Sequence, residues 1–169
     1  AGVDVVSKKT KQVKSPLRIC PLGAHVDHQD GVVTGMALDS NVEMVFAPTD
    51  DGYIRVRSMD FPDVEYFHID SVPDMLPSFW GNYLRGAVLS LKRDHRIRKG
   101  FQAVISGKLP IGGLSSSAAV TTAYLMALAE VNHLEIPKRE FVFYSHWVET
   151  EFIGLKNGIL DQSANILSE

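Results

Sequence analysis

Ile111-Gly112-Gly113-Leu114-Ser115-Ser116-Ser117-Ala118-Ala119 joins two glycines and three serines to an apolar run that continues to Val131. This composition predicts a loop that opens a buried helix, since the run is apolar almost all round. The first N–H groups of a helix have no partner inside it, and the macrodipole leaves about half a positive charge there. Glycines let an anion approach that backbone closely, and serine hydroxyls add donors or a ligand for a hard cation. The stretch therefore reads as a phosphate cradle. A serine N-cap after a glycine turn is the plainer alternative, and a single serine would satisfy it. The P-loop pattern is absent, because no lysine follows the glycines. A GxSxG elbow is absent too, because alanines follow the serines.

Working upstream, the chain from residue 17 to about 70 is strand-like. Val42–Phe46, Tyr53–Arg57 and Val64–Ile69 are rich in β-branched and aromatic residues, with Asp50-Asp51-Gly52 and Phe61-Pro62-Asp63 as punctuation. Tyr53, Arg55 and Arg57 alternate with Ile54 and Val56, as in a half-exposed antiparallel strand. Trp80, Tyr83, Leu84, Ala87, Val88 and Leu91 predict a helix over 78–94, and Phe101–Ser106 a buried strand. Downstream, a helix from Pro137 to Phe152 would place Phe141, Tyr144, Val148 and Phe152 on one face. A last helix over 158–168 groups Ile159, Leu160, Ile166 and Leu167. Strands first and helices after predict an α+β domain. The last pattern is still running at Glu169 with no Gly or Pro to close it, which reads as one half of a larger protein.

The bulk composition narrows the function. The 169 residues suit one domain, and 17 Lys plus Arg against 20 Asp plus Glu give a net charge of −3. That balance carries no footprint for nucleic acid or an anionic membrane. A single cysteine, Cys20, excludes a disulfide framework and points to a reducing compartment, the cytoplasm. The charge-free stretch Leu109–Ala129 could span a bilayer by length, but Pro110, the glycines and the serines mark it as loop plus buried helix. Lys8, Lys9, Lys11 and Lys14 read as a solvated basic end over residues 1–14, ahead of a domain over 15–169.

Two further constellations could carry chemistry. Arg18-Ile19-Cys20-Pro21-Leu22-Gly23-Ala24-His25-Val26-Asp27-His28-Gln29-Asp30-Gly31 is dense in ionisable residues. His25, Asp27 and His28 have part of a metal-hydrolase spacing, though Gly23 stands where another histidine is wanted. A sugar site binding vicinal hydroxyls is the alternative, and a polar turn is the plain one. Glu149 lies on the shoulder of an apolar helical face, and Asp161 in a first helical turn, where acids are favoured anyway.

In order along the chain, Arg-x-x-x-x-Gly-x-His-x-Asp from Arg18, Gly-Leu-Ser-Ser-Ser-Ala-Ala, and Glu149 with Gly158-Ile-Leu-Asp-Gln resemble the GHMP sugar kinases, in particular the galactokinase branch. The resemblance runs from about Ser15 to the end. It implies the N-terminal domain of that family: an α+β fold of the ribosomal-protein-S5 domain-2 type, a mixed or antiparallel sheet with helices on one side. It implies ATP and Mg²⁺, a C-terminal GHMP domain in the same chain, and inactivity of these residues alone. Asp161 matches the base that takes the proton of the anomeric hydroxyl, and Arg18 the arginine that stabilises the reacting oxygens. Ser117 and Glu149 match the Mg²⁺ ligands. Gly112, Gly113, Leu114, Ser115, Ser116 and Ser117 match the ATP-phosphate cradle, and His25 and Asp27 match sugar contacts. Such groups suit phosphoryl transfer, which depends on positioning and charge neutralisation.

Ala24 departs from the galactokinase pattern, where a glutamate meets the sugar's C6 hydroxyl. Pro-Leu-Gly-Ala-His-Val-Asp-His-Gln resembles galacturonokinases, whose substrate carries a C6 carboxylate. Two carboxylates about 4 Å apart repel by roughly 1–4 kcal/mol in partly wet surroundings, up to about a thousandfold in affinity. The resemblance thus implies a galacturonate 1-kinase, with galactose, or a non-catalytic sugar- and ATP-binding regulator, as alternatives. The loop Pro110-Ile111-Gly112-Gly113-Leu114 is also one residue shorter than the family's P-x-G-x-G-L.

Overall fold

The computed structural model describes residues 2–5, 9–22, 34–107 and 116–167. Its elements follow in the order β1 (Gly2–Val5), β2 (Lys11–Leu22), β3 (Thr34–Thr49), β4 (Tyr53–Ser58), β5 (Val64–His68), α1 (Asn82–Lys92), β6 (Gly100–Gly107), α2 (Ser116–Val131), α3 (Lys138–Trp147) and α4 (Leu160–Leu167). A π-helical turn, Val148–Phe152, prolongs α3. The strands form a mixed sheet in the order β1-β2-β3-β6-β4-β5. Neighbours pair antiparallel apart from β4 and β6, which are parallel and are connected through β5 and α1.

Alternation decides which face of the sheet is covered. Val13, Ser15 and Leu17 of β2, Val42, Met44 and Phe46 of β3, Ile54 and Val56 of β4, and Phe101, Ala103 and Ile105 of β6 are buried. Between them, Val45, Val104, Val64 and Tyr66 remain exposed on the opposite face. α2 lies on the buried face and touches β2, β3, β6 and the other three helices. Its Ala118, Ala119, Ala123 and Ala127 are fully buried, and small side chains let a helix come close to a sheet. The edge-to-face pair Phe46–Phe101, with centroids 6.1 Å apart, fills the middle of the layer. The helices therefore sit on one side of a mixed sheet.

Three sequence expectations change. The helix expected from residue 78 starts at Asn82, because Ser78 has φ 55°, a left-handed conformation that cannot open a helix. The helix expected over 137–152 is α-helical only to Trp147. The strand expected to be antiparallel at Tyr53–Arg57 is antiparallel to β5 and parallel to β6.

The basic segment expected at the start runs into the sheet, with the Lys14 side chain half exposed. β2 begins at Lys11, β1 pairs with it (Val3 opposite Val13), and Val13 is fully buried. Lys11 forms an ion pair with Glu130, and Lys14 lies 3.7 Å from Glu43. Lys14 and Ser15, on either side of the expected boundary, belong to one strand. Lys8 lies outside the described residues.

Candidate active site

Four elements converge on one end of the buried layer. β2 supplies Arg18, the first turn of α2 supplies Ser116 and Ser117, the π-helical turn supplies Glu149, and the first turn of α4 supplies Asp161. The pairing of β2 with β3 is irregular between Pro16 and Arg18. Proline has no N–H to give the ladder, and such irregularities re-aim the side chains around them. Arg18, 143 positions before Asp161, forms an ion pair with it, Nη2 to Oδ1. The two side chains are only 12% and 24% exposed, so bulk water screens the pair weakly. Arg18 Nε is buried without a hydrogen-bond partner among the described residues.

Glu149 is fully buried. The Ser117 hydroxyl donates to its Oε1 at 2.7 Å, and the carboxamides of Gln162 (2.7 Å) and Asn157 donate to its Oε2. Burial pushes the Glu149 carboxyl above the usual glutamate range. Hydrogen bonds from Ser117 and Asn157 oppose the rise, and the charge of Asp161 adds to it. Glu149 and Asp161 therefore share one electrostatic neighbourhood. Tyr83 belongs to it as well: burial first, then the Glu149 charge, raises its hydroxyl pKa, while a hydrogen bond with Ser117 opposes the rise.

The π-helical turn explains how Glu149 reaches the interior. Ile153 N–H donates to the Val148 carbonyl at 2.9 Å, a bond one residue wider than in an α-helix. This turn buries Val148 and Glu149 together, so the carboxylate points inward rather than along the shoulder of the apolar stripe. α4 departs from its pattern in the same way. Leu160 and Ile166 are buried as the periodicity predicts, but Ile159 and Leu167 are 44% and 42% exposed. Gln162 and Asn165 are fully buried in their place. With its amide oriented to satisfy both neighbours, Asn165 donates to the Pro16 carbonyl (3.0 Å) and accepts from Ala119 N–H (3.1 Å). It thereby occupies one of the free amides at the start of α2.

The structure thus brings Arg18 to Asp161 and Ser117 to Glu149. Ser116 is exposed beside Ser117. Ala24, His25, Asp27 and His28, and Gly112, Gly113, Leu114 and Ser115 with the shortened loop, lie outside the described residues. So does the metal site considered on His25, Asp27 and His28; among the described residues, no three His, Cys, Asp or Glu side chains gather to hold a metal. Asn157, Gln162 and Asn165 are site residues that periodicity missed, and Tyr83 was read only as part of a helix face. The signal available was polar carboxamides inside a short amphipathic stretch, and it has no meaning without their partners. Among the described residues, no helix is long and apolar enough to cross a membrane.

Chemically, the arrangement offers a carboxylate beside a guanidinium, and a hydroxyl beside a carboxylate. Oxygen donors of that kind suit a hard cation such as Mg²⁺. The pattern of the family described as GHMP kinases N terminal domain matches residues 82–169. A galacturonokinase of Arabidopsis thaliana is 38% identical over 95% of this chain and 42% of its own length. A galactokinase of Chloroflexus aggregans is 33% identical over 95% of this chain and 41% of its own length. The crystal structure of Lactococcus lactis galactokinase complexed with galactose superimposes with a TM-score of 0.88 at 32% identity, over 93% of this chain and 42% of that one. Methanococcus jannaschii mevalonate kinase, at 23% identity and a TM-score of 0.79, shares the fold. The chain spans about two fifths of the length of the curated relatives it matches. The domain pattern, the mixed sheet covered on one side and the superposition agree: the chain belongs to the GHMP kinases and carries their N-terminal domain.

Proposed function

We propose that this chain is the N-terminal domain of an ATP-dependent sugar kinase that phosphorylates the anomeric hydroxyl of galacturonate. The observation that carries the reading is the meeting of Arg18 with Asp161 beside the Ser117–Glu149 pair. In this reading the Asp161 carboxylate takes the anomeric proton. The freed oxygen attacks the γ-phosphorus of ATP, the bond to the β,γ-bridging oxygen breaks, and ADP leaves with the sugar 1-phosphate formed. Arg18 neutralises charge on the reacting oxygens, and its ion pair with Asp161 holds that carboxylate in place. The 112–117 loop and the start of α2 receive the phosphates.

Ser117 and Glu149 would hold magnesium. Their fit rests on two oxygen atoms 2.7 Å apart and on a buried carboxylate whose ionised form a cation would favour. When bound, the metal supplies neutralisation of the phosphate charge.

Ala24 favours the uronate, because no carboxylate at that position repels a C6 carboxylate. The 38% identity to a galacturonokinase supports the same substrate, and the likeness to a galactokinase complexed with galactose names the competitor. ADP release by the intact protein with each sugar tests the reading: release with galacturonate is expected, and release with galactose alone would sink the uronate assignment. ATP and sugar binding without ADP release would instead mark a regulator. Asp161→Asn is expected to abolish turnover with an unchanged circular dichroism spectrum; substantial residual turnover would remove Asp161 as the base. Ala24→Glu is expected to move the kcat/KM ratio toward galactose, and an unchanged ratio would strip Ala24 of its role.

A further inference from the structure

The Glu149 carboxylate has two unlike oxygens. Among the described residues, Oε1 accepts a hydrogen bond from the Ser117 hydroxyl, whereas Oε2 receives both carboxamides, Gln162 Nε2 at 2.7 Å and Asn157 Nδ2. The carboxamides reach it from different segments. Gln162 is fully buried on α4, directly after Asp161. Asn157 lies half-buried in the loop between the π-helical turn and α4, and its backbone carbonyl accepts from His146 Nε2 of α3 at 3.0 Å.

Both amides leave their own oxygens, Gln162 Oε1 and Asn157 Oδ1, buried without a partner among the described residues. An unpaired buried oxygen is unfavourable for folding. Apolar side chains would fill the same space without it, so packing alone does not account for two donors aimed at one carboxylate oxygen.

We propose that Asn157 and Gln162 are positioning residues: by engaging Oε2 they fix the carboxylate plane and leave Oε1, beside Ser117, as the oxygen presented to the divalent cation. The inference rests on the reading of Glu149 and Ser117 as cation ligands. It assigns to the Asp161-Gln162 dipeptide a double duty, with one side chain paired to Arg18 and the next orienting Glu149. Partners that orient a metal's ligands typically affect metal affinity by about 10–100-fold.

The test is Mn²⁺ binding to the intact protein in the presence of ADP, followed by the electron paramagnetic resonance signal of free Mn²⁺. Gln162→Met and Asn157→Ala should each weaken Mn²⁺ binding about 10-fold, while ADP affinity measured in EDTA stays unchanged. Unchanged Mn²⁺ affinity in both variants, with binding lost in Glu149→Gln, would overturn the positioning role and leave the ligand reading standing. Unchanged Mn²⁺ affinity in Glu149→Gln would overturn the ligand reading itself. A parallel loss of ADP affinity in EDTA would show a general packing role and also overturn the proposal. Should Gln162→Met fail to fold, Asn157→Ala, on a half-exposed loop, carries the test.

Discussion

Glu65 and Arg85 form a charge pair under α1, with side chains 3% and 5% exposed. Arg85 donates from Nε to Oε2 at 2.9 Å and from Nη2 to Oε1 at 3.1 Å, so the fork is matched bidentately. Removing one partner strands the other charge away from water, which costs about 3–5 kcal/mol. Glu65→Ala is therefore expected to lower unfolding stability by about that amount in urea titration; a loss below about 1 kcal/mol, the range of surface pairs, would show that Arg85 finds water or another partner. Asp51 is the surface contrast. A hydrogen bond from Arg55, then one from the Tyr53 N–H, hold its carboxyl at about 2 against an ordinary 3.8. Its folded pKa lies below the unfolded one, so its stabilisation is present above about 3.8 and lost as pH falls toward about 2. Asp51→Asn is expected to flatten the acid-side fall of the thermal midpoint within that window, and an unchanged profile would contradict the assignment. Asp50-Asp51-Gly52 was legible as a turn because turn chemistry is local. The roles of Glu65, Gln162 and Asn165 were not, because a buried polar side chain is explained only by what it meets.

The π-helical turn that carries Glu149 is pressed against α1 at a glycine. A Cβ on Gly86 would lie 2.6 Å from Val148 Cγ1 and 3.0 Å from Phe152 Cδ1. Overpacking of this kind costs about 1–3 kcal/mol. Gly86→Ala is expected to lower the thermal midpoint and, because Val148 adjoins Glu149, to weaken Mn²⁺ binding. If neither changes, α1 and the turn are free to separate. Helical periodicity revealed α1 and α3, since Leu84, Ala87, Val88 and Leu91 or Phe141 and Tyr144 repeat on one face and are all buried, and an unbroken apolar run revealed α2. The extra residue of the π-helical turn left no such trace. It shifts the face that turns inward by one position, and only contact with α1 shows which way.

Leu155, Ile159 and Leu167, on α4 and the loop before it, are 42%, 44% and 42% exposed. They surround the segment that carries Asp161, and the relatives extend well beyond the length of this chain. Phosphoryl transfer requires water to be excluded from the reacting groups. The 169 residues alone are therefore expected to release no ADP with either sugar under conditions where the intact protein does; turnover by them would show that the site closes unaided. The same apolar positions account for the helix face expected over Ile159 and Leu167, which this domain leaves uncovered. The ordered motifs already marked the family, and alternation with helical periodicity marked an α+β domain, because both depend on residues close in sequence. The meeting of Arg18 with Asp161 across 143 positions and of Ser117 with Glu149 across 32 came from the folded chain. So did the burial of Gln162 and Asn165 and the strand through Lys11 and Lys14. These contacts depend on which elements pack together, and no local pattern records a partner that is brought near only when the sheet and helices close on each other.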